Sequence, residues 1–419
     1  MPGRRSSPRL LVADRDSDMT SDLTTNATVD GERLLLRRRR NRMRYHATQL
    51  AIIAVAAALV VLFALAVKEG LARHGIRFSF SFLWDAAGFD ISEGKTLLLG
   101  GDTWPRLGSF TSSLSIAQAF VTGIVNTIKV AVLGILLSTV LGTLLGVGRL
   151  STNWVVRNLS FWCVELVRNT PLLIQIVFWY FAVVLHFPPI ASAAKFYGVV
   201  ISQQGLYFPM PVWQGDDSML GIGVATAFCV ALLGLIFDRH KTARWICAGV
   251  IVVLCIVMFA TGLVGLDVPV VSKFQARGGT SMSPEMAALL LAIIFNSASY
   301  IAEIVRGAID ALPKGQWEAA AAVGLSHRDT VRDIILPQVF RVVLPSFGNQ
   351  YISLAKNTAL GIAIGYPDLF NIYGTIANQT GHSLEGIVIV MVSYLILSWV
   401  ISAAVSWADR RLTKRGALR

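Results

Sequence analysis

Charged residues inside apolar stretches are expensive, and this chain sets several of them in helical patterns. Glu165 and Arg168 stand three residues apart, as do Glu303 and Arg306, so each pair shares a helix face and can form an ion pair. Lys356, beside Asn357, falls near the middle of an apolar run from about 344 to 364. A charge at such a depth in a bilayer costs about 2.5 to 3.5 kcal/mol, so it should face a partner or a wet cavity. Asn296, Ser299, Tyr300, Glu303 and Arg306 form a polar stripe on one run; Asn349, Ser353, Lys356 and Asn357 form a similar one on another. Stripes of this kind suit a passage for a polar, charged-ended solute, with Glu303, Lys356, Asn357, Asn296 and Ser353 as its candidate residues. The competing reading is structural, since Glu165, Arg168 and Arg306 lie near the ends of apolar runs, where long side chains snorkel and pair.

No set of residues points to covalent catalysis or to a metal. The six histidines are scattered without a nucleophile beside them, and Cys163, Cys229, Cys247 and Cys255 lack CxxC or His spacing. Residues 88–96, GFDISEGKT, mimic a phosphate-binding loop, but five residues separate the glycines where four are required and no strand precedes them. An interfacial loop anchored by Trp84 and Trp104 accounts for that stretch better.

The elements that must position these side chains are membrane spans. With 54% hydrophobic residues, 15% charged and a mean hydropathy of +0.60, the chain is too apolar for a soluble protein of 419 residues. Its net charge of +12 raises the question of nucleic acid, but the Arg and Lys gather beside apolar segments, where they set orientation instead. Residues 1–46 read as a basic, largely disordered tail, 47–67 as the first span and 68–117 as an outer segment. The main membrane domain is expected over 118–410. It contains span two at 119–147, with Gly134, Ser138, Gly142 and Gly146 as a small-residue packing stripe, and span three at 162–185. An outer loop of roughly thirty residues and an extra helix pair at about 219–266 come next, then spans at about 284–309, 344–364 and 384–407. About eight helices in all, with 411–419 as a second tail, put both termini on the arginine-rich, cytoplasmic side.

Between spans six and seven, at about 310–340, lies a stretch polar enough for water. Pro313 suits a helix start, Glu318 and four alanines favour helix, and Gly324 can close it in the left-handed conformation. Ser326 caps a second helix over about 327–336, which Pro337 ends or kinks. Helix, corner, helix is a shape for docking, not for chemistry.

The series Glu318, Ala319, Ala320, Gly324, then Leu336 and Pro337, resembles the EAA signature of membrane subunits of binding-protein-dependent ABC importers, and residues 301–369 are similar to the polar or general L-amino-acid branch. The segment Arg168, Asn169, Thr170, Pro171 resembles the same branch. The resemblance implies an all-α type I importer permease in a bacterial inner membrane, with a cytoplasmic coupling helix at Glu318, Ala319, Ala320, Gly324, Leu336 and Pro337. It implies a cytoplasmic ABC ATPase dimer that binds ATP and Mg, a second and different permease subunit, a periplasmic amino-acid-binding protein and polar L-amino acids as cargo. No cofactor, catalytic residue or nucleic-acid partner is expected in this chain. Glu165, Arg168, Asn169, Thr170 and Arg306 are candidates for a gate or ion pair. The polar stripes alone would also fit a transporter or channel driven by an ion gradient, but that reading leaves the docking-shaped loop unexplained.

Overall fold

The computed structural model describes residues 43–63, 65–66, 69–70, 78–98, 106–214, 218–237 and 241–416. The chain divides after Ser79. The first unit holds α1 (Met43–Phe63), 21 residues long and exposed throughout, as a lipid-facing span requires. It starts four residues before the expected span, and residues 1–42 of the expected tail lie outside the described residues.

The second unit opens with a 3-10 turn, Ser81–Trp84, followed by the strand pair β1 (Lys95–Leu98) and β2 (Arg106–Ser109). Lys95 and Thr96 of the loop that mimics a phosphate site therefore begin a strand, where a phosphate loop would need a helix. Next comes α2 (Ile116–Gly148), started by a capping box in which Ser115 Oγ accepts from Gln118 N and the Gln118 side chain accepts from Ser115 N.

Span three differs most from its expectation. It is two helices, α3 (Trp154–Arg168) and α4 (Leu172–Phe178) with its irregular extension to His186, bent by 104°. Pro171 is the cause, because the residue before a proline is driven out of the helical region. Helix α3 is amphipathic, with Trp154, Leu159, Trp162 and Leu166 exposed, a pattern that suits a membrane interface.

The expected outer loop is folded. Strands β3 (Ala194–Phe196), β4 (Val199–Ser202) and β5 (Gly205–Phe208) form an antiparallel sheet completed by β10 (Thr280–Met282). Strand β6 (Met210–Trp213) pairs with β7 (Val264–Asp267), and β8 (Val270–Val271) with β9 (Ala276–Arg277). The β6 and β7 ladder brackets α5 (Ser218–Phe237) and α6 (Lys241–Ala260), the extra pair, so these two helices are suspended from a strand stem.

Helix α7 (Pro284–Asp310) is capped by Ser283 with Pro284 in its first turn. Its main neighbour is α2, through the stripe of four small residues. A Cβ on Gly142 would lie 2.7 Å from Ala298 O and from Ile301 Cβ, and one on Gly146 would lie 2.7 Å from Ala302 O. The close approach needs glycine at both positions, as small-residue packing between membrane helices does generally. Met286, Leu289, Ile293, Ile176 and Leu354 then fill the core around this contact.

After the short helices α8 (Gly315–Ala322) and α9 (His327–Asp329), a π-helical turn, Thr330–Ile335, leads into α10 (Leu336–Asn357). Pro337 does not end the second helix. It sits in the first turn of α10, where a proline needs no donor, and the chain stays helical from His327 to Asn357. A 3-10 segment, Thr358–Ile364, then α11 (Leu369–Thr380) and α12 (Ser383–Gly416) complete the fold. Among the described residues four helices are long and apolar enough to cross a membrane, five if the bent pair is one span, which is short of the eight expected. The polar residues of α10 and the break at Pro171 account for part of that difference.

Candidate functional site

The bend at Pro171, the middle of α7 and the last turns of α10 enclose a polar cavity of about 470 Å³. Arg168, Asn169 and Thr170 line it from the bend, Asn296 and Tyr300 from α7, and Gln350, Ser353 and Asn357 from α10. The spacings explain the convergence. Residues 296 and 300, and 350, 353 and 357, are three or four apart, hence on one face of each helix.

The cavity thus gathers Asn296, Ser353 and Asn357 from the expected pathway set with Arg168, Asn169 and Thr170 from the expected gate set. It leaves out Lys356 and Glu303. Lys356 follows directly on from Leu354 and Ala355, which are buried, and is itself exposed, about 100° around the helix from Asn357; among the described residues it has no ion pair. Gln350 was not singled out by the sequence reading, although its spacing from Ser353 carries the same signal.

Glu303 is instead the hub of a charge cluster one turn beyond Tyr300. Arg149 at the end of α2 donates from Nη1 to Glu303 Oε2 at 2.7 Å and from Nη2 to Glu165 Oε1 at 3.2 Å. Arg306 Nη2 lies 2.5 Å from Glu303 Oε1, and its Nη1 2.6 Å from Asp310 Oδ2. Arg168 Nη1 is farther away, 3.6 Å from Glu303 and 3.9 Å from Glu165. Three arginines face three carboxylates, joining α2, α3 and α7. Arg149 is the member that sequence reading missed. Its place at the C-terminus of α2, where a cation complements the helix dipole, is the signal for it.

The docking-shaped corner closes as its residues require. Gly324 takes φ +78°, Leu325 N donates to Ala320 O at 3.1 Å and Gly324 N to Ala321 O at 3.0 Å, the paired bonds of a Schellman motif. Ser326 Oγ accepts from Asp329 N, and Trp317 stacks on His327 with ring centroids 5.4 Å apart, pinning α8 against α9. Glu318, Ala319, Gly324 and Pro337 are exposed, Leu336 is half-buried, and Ala320 is buried beneath them.

At the opposite end of α7 from this corner, Asp368 is fully buried. Its Oδ1 accepts from Asn371 N, capping α11, and its Oδ2 from the Tyr394 hydroxyl. Burial raises its carboxyl from 3.8 to about 6 against those hydrogen bonds. A raised acid pKa favours the folded state while the group is protonated, and that advantage is lost as pH rises from about 4 through 6. Asp368→Asn keeps the cap acceptor, so it should stabilise the chain at pH 7.5 by on the order of 2 kcal/mol and by only about a third of that at pH 4.5, where the unfolded carboxyl has begun to ionise. Thermal unfolding in detergent at the two pH values tests this, and an equal effect at both would rule out the carboxyl's ionisation as the cause.

Among the described residues no cluster of His, Cys, Asp or Glu could hold a metal ion. The family model described as binding-protein-dependent transport system inner membrane component matches residues 241–416, which include the docking corner and two walls of the cavity. The General L-amino acid transport system permease protein AapQ of Rhizobium johnstonii is 38% identical over 356 residues, 82% of this chain and 85% of that protein. The chain belongs to this family of transport components. A putative amino-acid ABC transporter permease protein of Escherichia coli, YhdX, is 37% identical over 87% of this chain and 92% of its own length. The Glutamate/glutamine/aspartate/asparagine transport system permease protein BztB of Rhodobacter capsulatus is 31% identical over 82% and 87%. As a member of this family the chain is a membrane subunit of a transporter and not an enzyme.

Proposed function

We propose that this chain is the permease subunit of an ATP-driven importer of polar L-amino acids. The cavity between the Pro171 bend, α7 and α10 is its translocation pathway, and the corner between α8 and α9 is its coupling element. The observation that carries this reading is continuity along α7. Asn296 and Tyr300 line the cavity, Glu303 and Arg306 tie the next turns to α2 and α3, and the helix ends at Asp310, five residues before α8. Force applied at the corner would therefore act on a cavity wall. The cavity needs only two arrangements that a partner binds unequally.

In this reading an ATPase dimer carrying ATP and Mg docks at Glu318, Ala319 and Gly324 from the cytoplasm, where both termini also lie. A periplasmic binding protein delivers the amino acid to the outer strands, and a second, different permease subunit completes the pathway. Names of the relatives supply the substrate class. Uptake of labelled L-glutamine and L-glutamate into proteoliposomes containing the whole complex tests the proposal. Uptake should require internal or external ATP on the side of the ATPase and proceed with ion gradients collapsed. Uptake that follows an ion gradient without ATP would overturn it.

A further inference from the structure

Among the described residues lining the cavity Arg168 is the one that is charged, and its guanidinium is under-used. Its Nη1 lies 3.6 Å from Glu303 and 3.9 Å from Glu165, beyond good hydrogen-bond length, and its Nε is buried without an acceptor. The two glutamates do not depend on it, since Arg149 and Arg306 reach them at 2.5 to 3.2 Å. Tyr300 lies against one face of the guanidinium, its centroid 5.7 Å from Cζ, which leaves the in-plane donors as the usable ones. The remaining polar lining is neutral: amides at Asn169, Asn296, Gln350 and Asn357, and hydroxyls at Thr170 and Ser353.

We propose that Arg168 binds the carboxylate of the solute in this cavity, making it the residue that selects for a free carboxyl group. The inference rests on the cavity being the pathway and adds the chemistry by which it recognises cargo. A planar guanidinium with free donors matches a carboxylate in two parallel hydrogen bonds, whereas amides and hydroxyls both donate and accept and so hold an ammonium group and a polar side chain without preference of sign. Moving Arg168 toward a guest leaves neither Glu165 nor Glu303 without a cation. The cavity volume falls within the range of small-molecule sites.

The test uses the purified complex of permease and ATPase subunits, without the binding protein, so that selection by the binding protein does not enter. Tritiated L-glutamine is bound and displaced with unlabelled L-glutamine or with L-glutaminamide, in which the carboxylate is replaced by a carboxamide. Wild type should prefer L-glutamine by about tenfold or more, as the loss of a charge-assisted pair implies, and Arg168→Gln should bring the ratio to within about twofold of one. A purely structural role for Arg168 would weaken both ligands together and leave the ratio in place. An unchanged ratio in Arg168→Gln, no preference in wild type, or no binding at all overturns the proposal. Should Arg168→Gln fail to assemble, Arg168→Lys is used, and unaltered affinity for L-glutamine in that variant also overturns it. ATP-driven uptake in wild type that persists through any of these results leaves the importer reading standing and removes only the role of Arg168.

Discussion

Gly324→Asp should reduce ATP-driven uptake to less than about a tenth of wild type while the permease still inserts and assembles. Gly324 sits at φ +78°, and a Cβ built there meets nothing within 4 Å. Within the chain, then, the substitution costs only the left-handed backbone, roughly 1 kcal/mol, and adds no clash. What changes is the surface. A carboxylate appears at the apex of the corner, between exposed Val323 and half-open Leu325, beside the exposed Glu318. A partner cleft closing over that apex would have to desolvate a new charge and accommodate its volume, and a buried charge without a partner is strongly unfavourable. Gly324→Ala separates the two effects. It carries the same backbone strain with no charge and one added carbon, so it should keep most of the uptake. Parallel measurement of co-purified ATPase subunit, substrate-stimulated ATP hydrolysis and uptake reads all three levels. Wild-type uptake by the aspartate variant would remove the corner from the coupling path.

The corner was legible in the sequence because every signal in it is local. The Schellman closure at Gly324 and the Ser326 cap depend on residues within five positions of each other, and both form. The α2 packing stripe was legible for the same reason, a fixed spacing of four on one helix face. Three things were not. Lys356 reads as a pathway residue by its depth in an apolar run, yet from α10 the cavity is lined by Gln350, Ser353 and Asn357 and not by Lys356, and depth alone does not say on which side of a helix a residue stands. Span three read as one apolar run because hydropathy averages across Pro171, although the proline itself marks the bend. The outer sheet was invisible because its strands are two to four residues long, and pairs such as β5 with β10 join segments more than seventy residues apart that carry no periodicity of their own.

Arg149→Ala should cost the second unit about 3 to 5 kcal/mol, the largest stability effect expected of any single side chain in the charge cluster. Its side chain is only 9% exposed, and it makes the short contacts to Glu165 and Glu303. Both acids share what remains unequally. Glu303 keeps Arg306 at 2.5 Å, but Glu165 is left with Arg168 at 3.9 Å, so the uncompensated charge falls on Glu165. The consequence is specific. Glu165→Gln placed on top of Arg149→Ala should recover most of the loss, because it removes the stranded carboxylate, whereas Glu303→Gln on the same background should not, because it leaves the Glu165 carboxylate stranded and takes from Arg306 its 2.5 Å partner. Thermal unfolding of wild type, the three single variants and the two double variants in one detergent gives the coupling between sites directly. If Arg149→Ala unfolds with wild type, the cluster holds nothing together and α2, α3 and α7 are joined by apolar packing alone. If instead the Glu165→Gln rescue restores stability but not uptake, Arg149 acts as more than a structural tie. With residue 165 already neutral, the Arg149 guanidinium would then be needed beside Glu303, so that Arg168 stays available to the cavity.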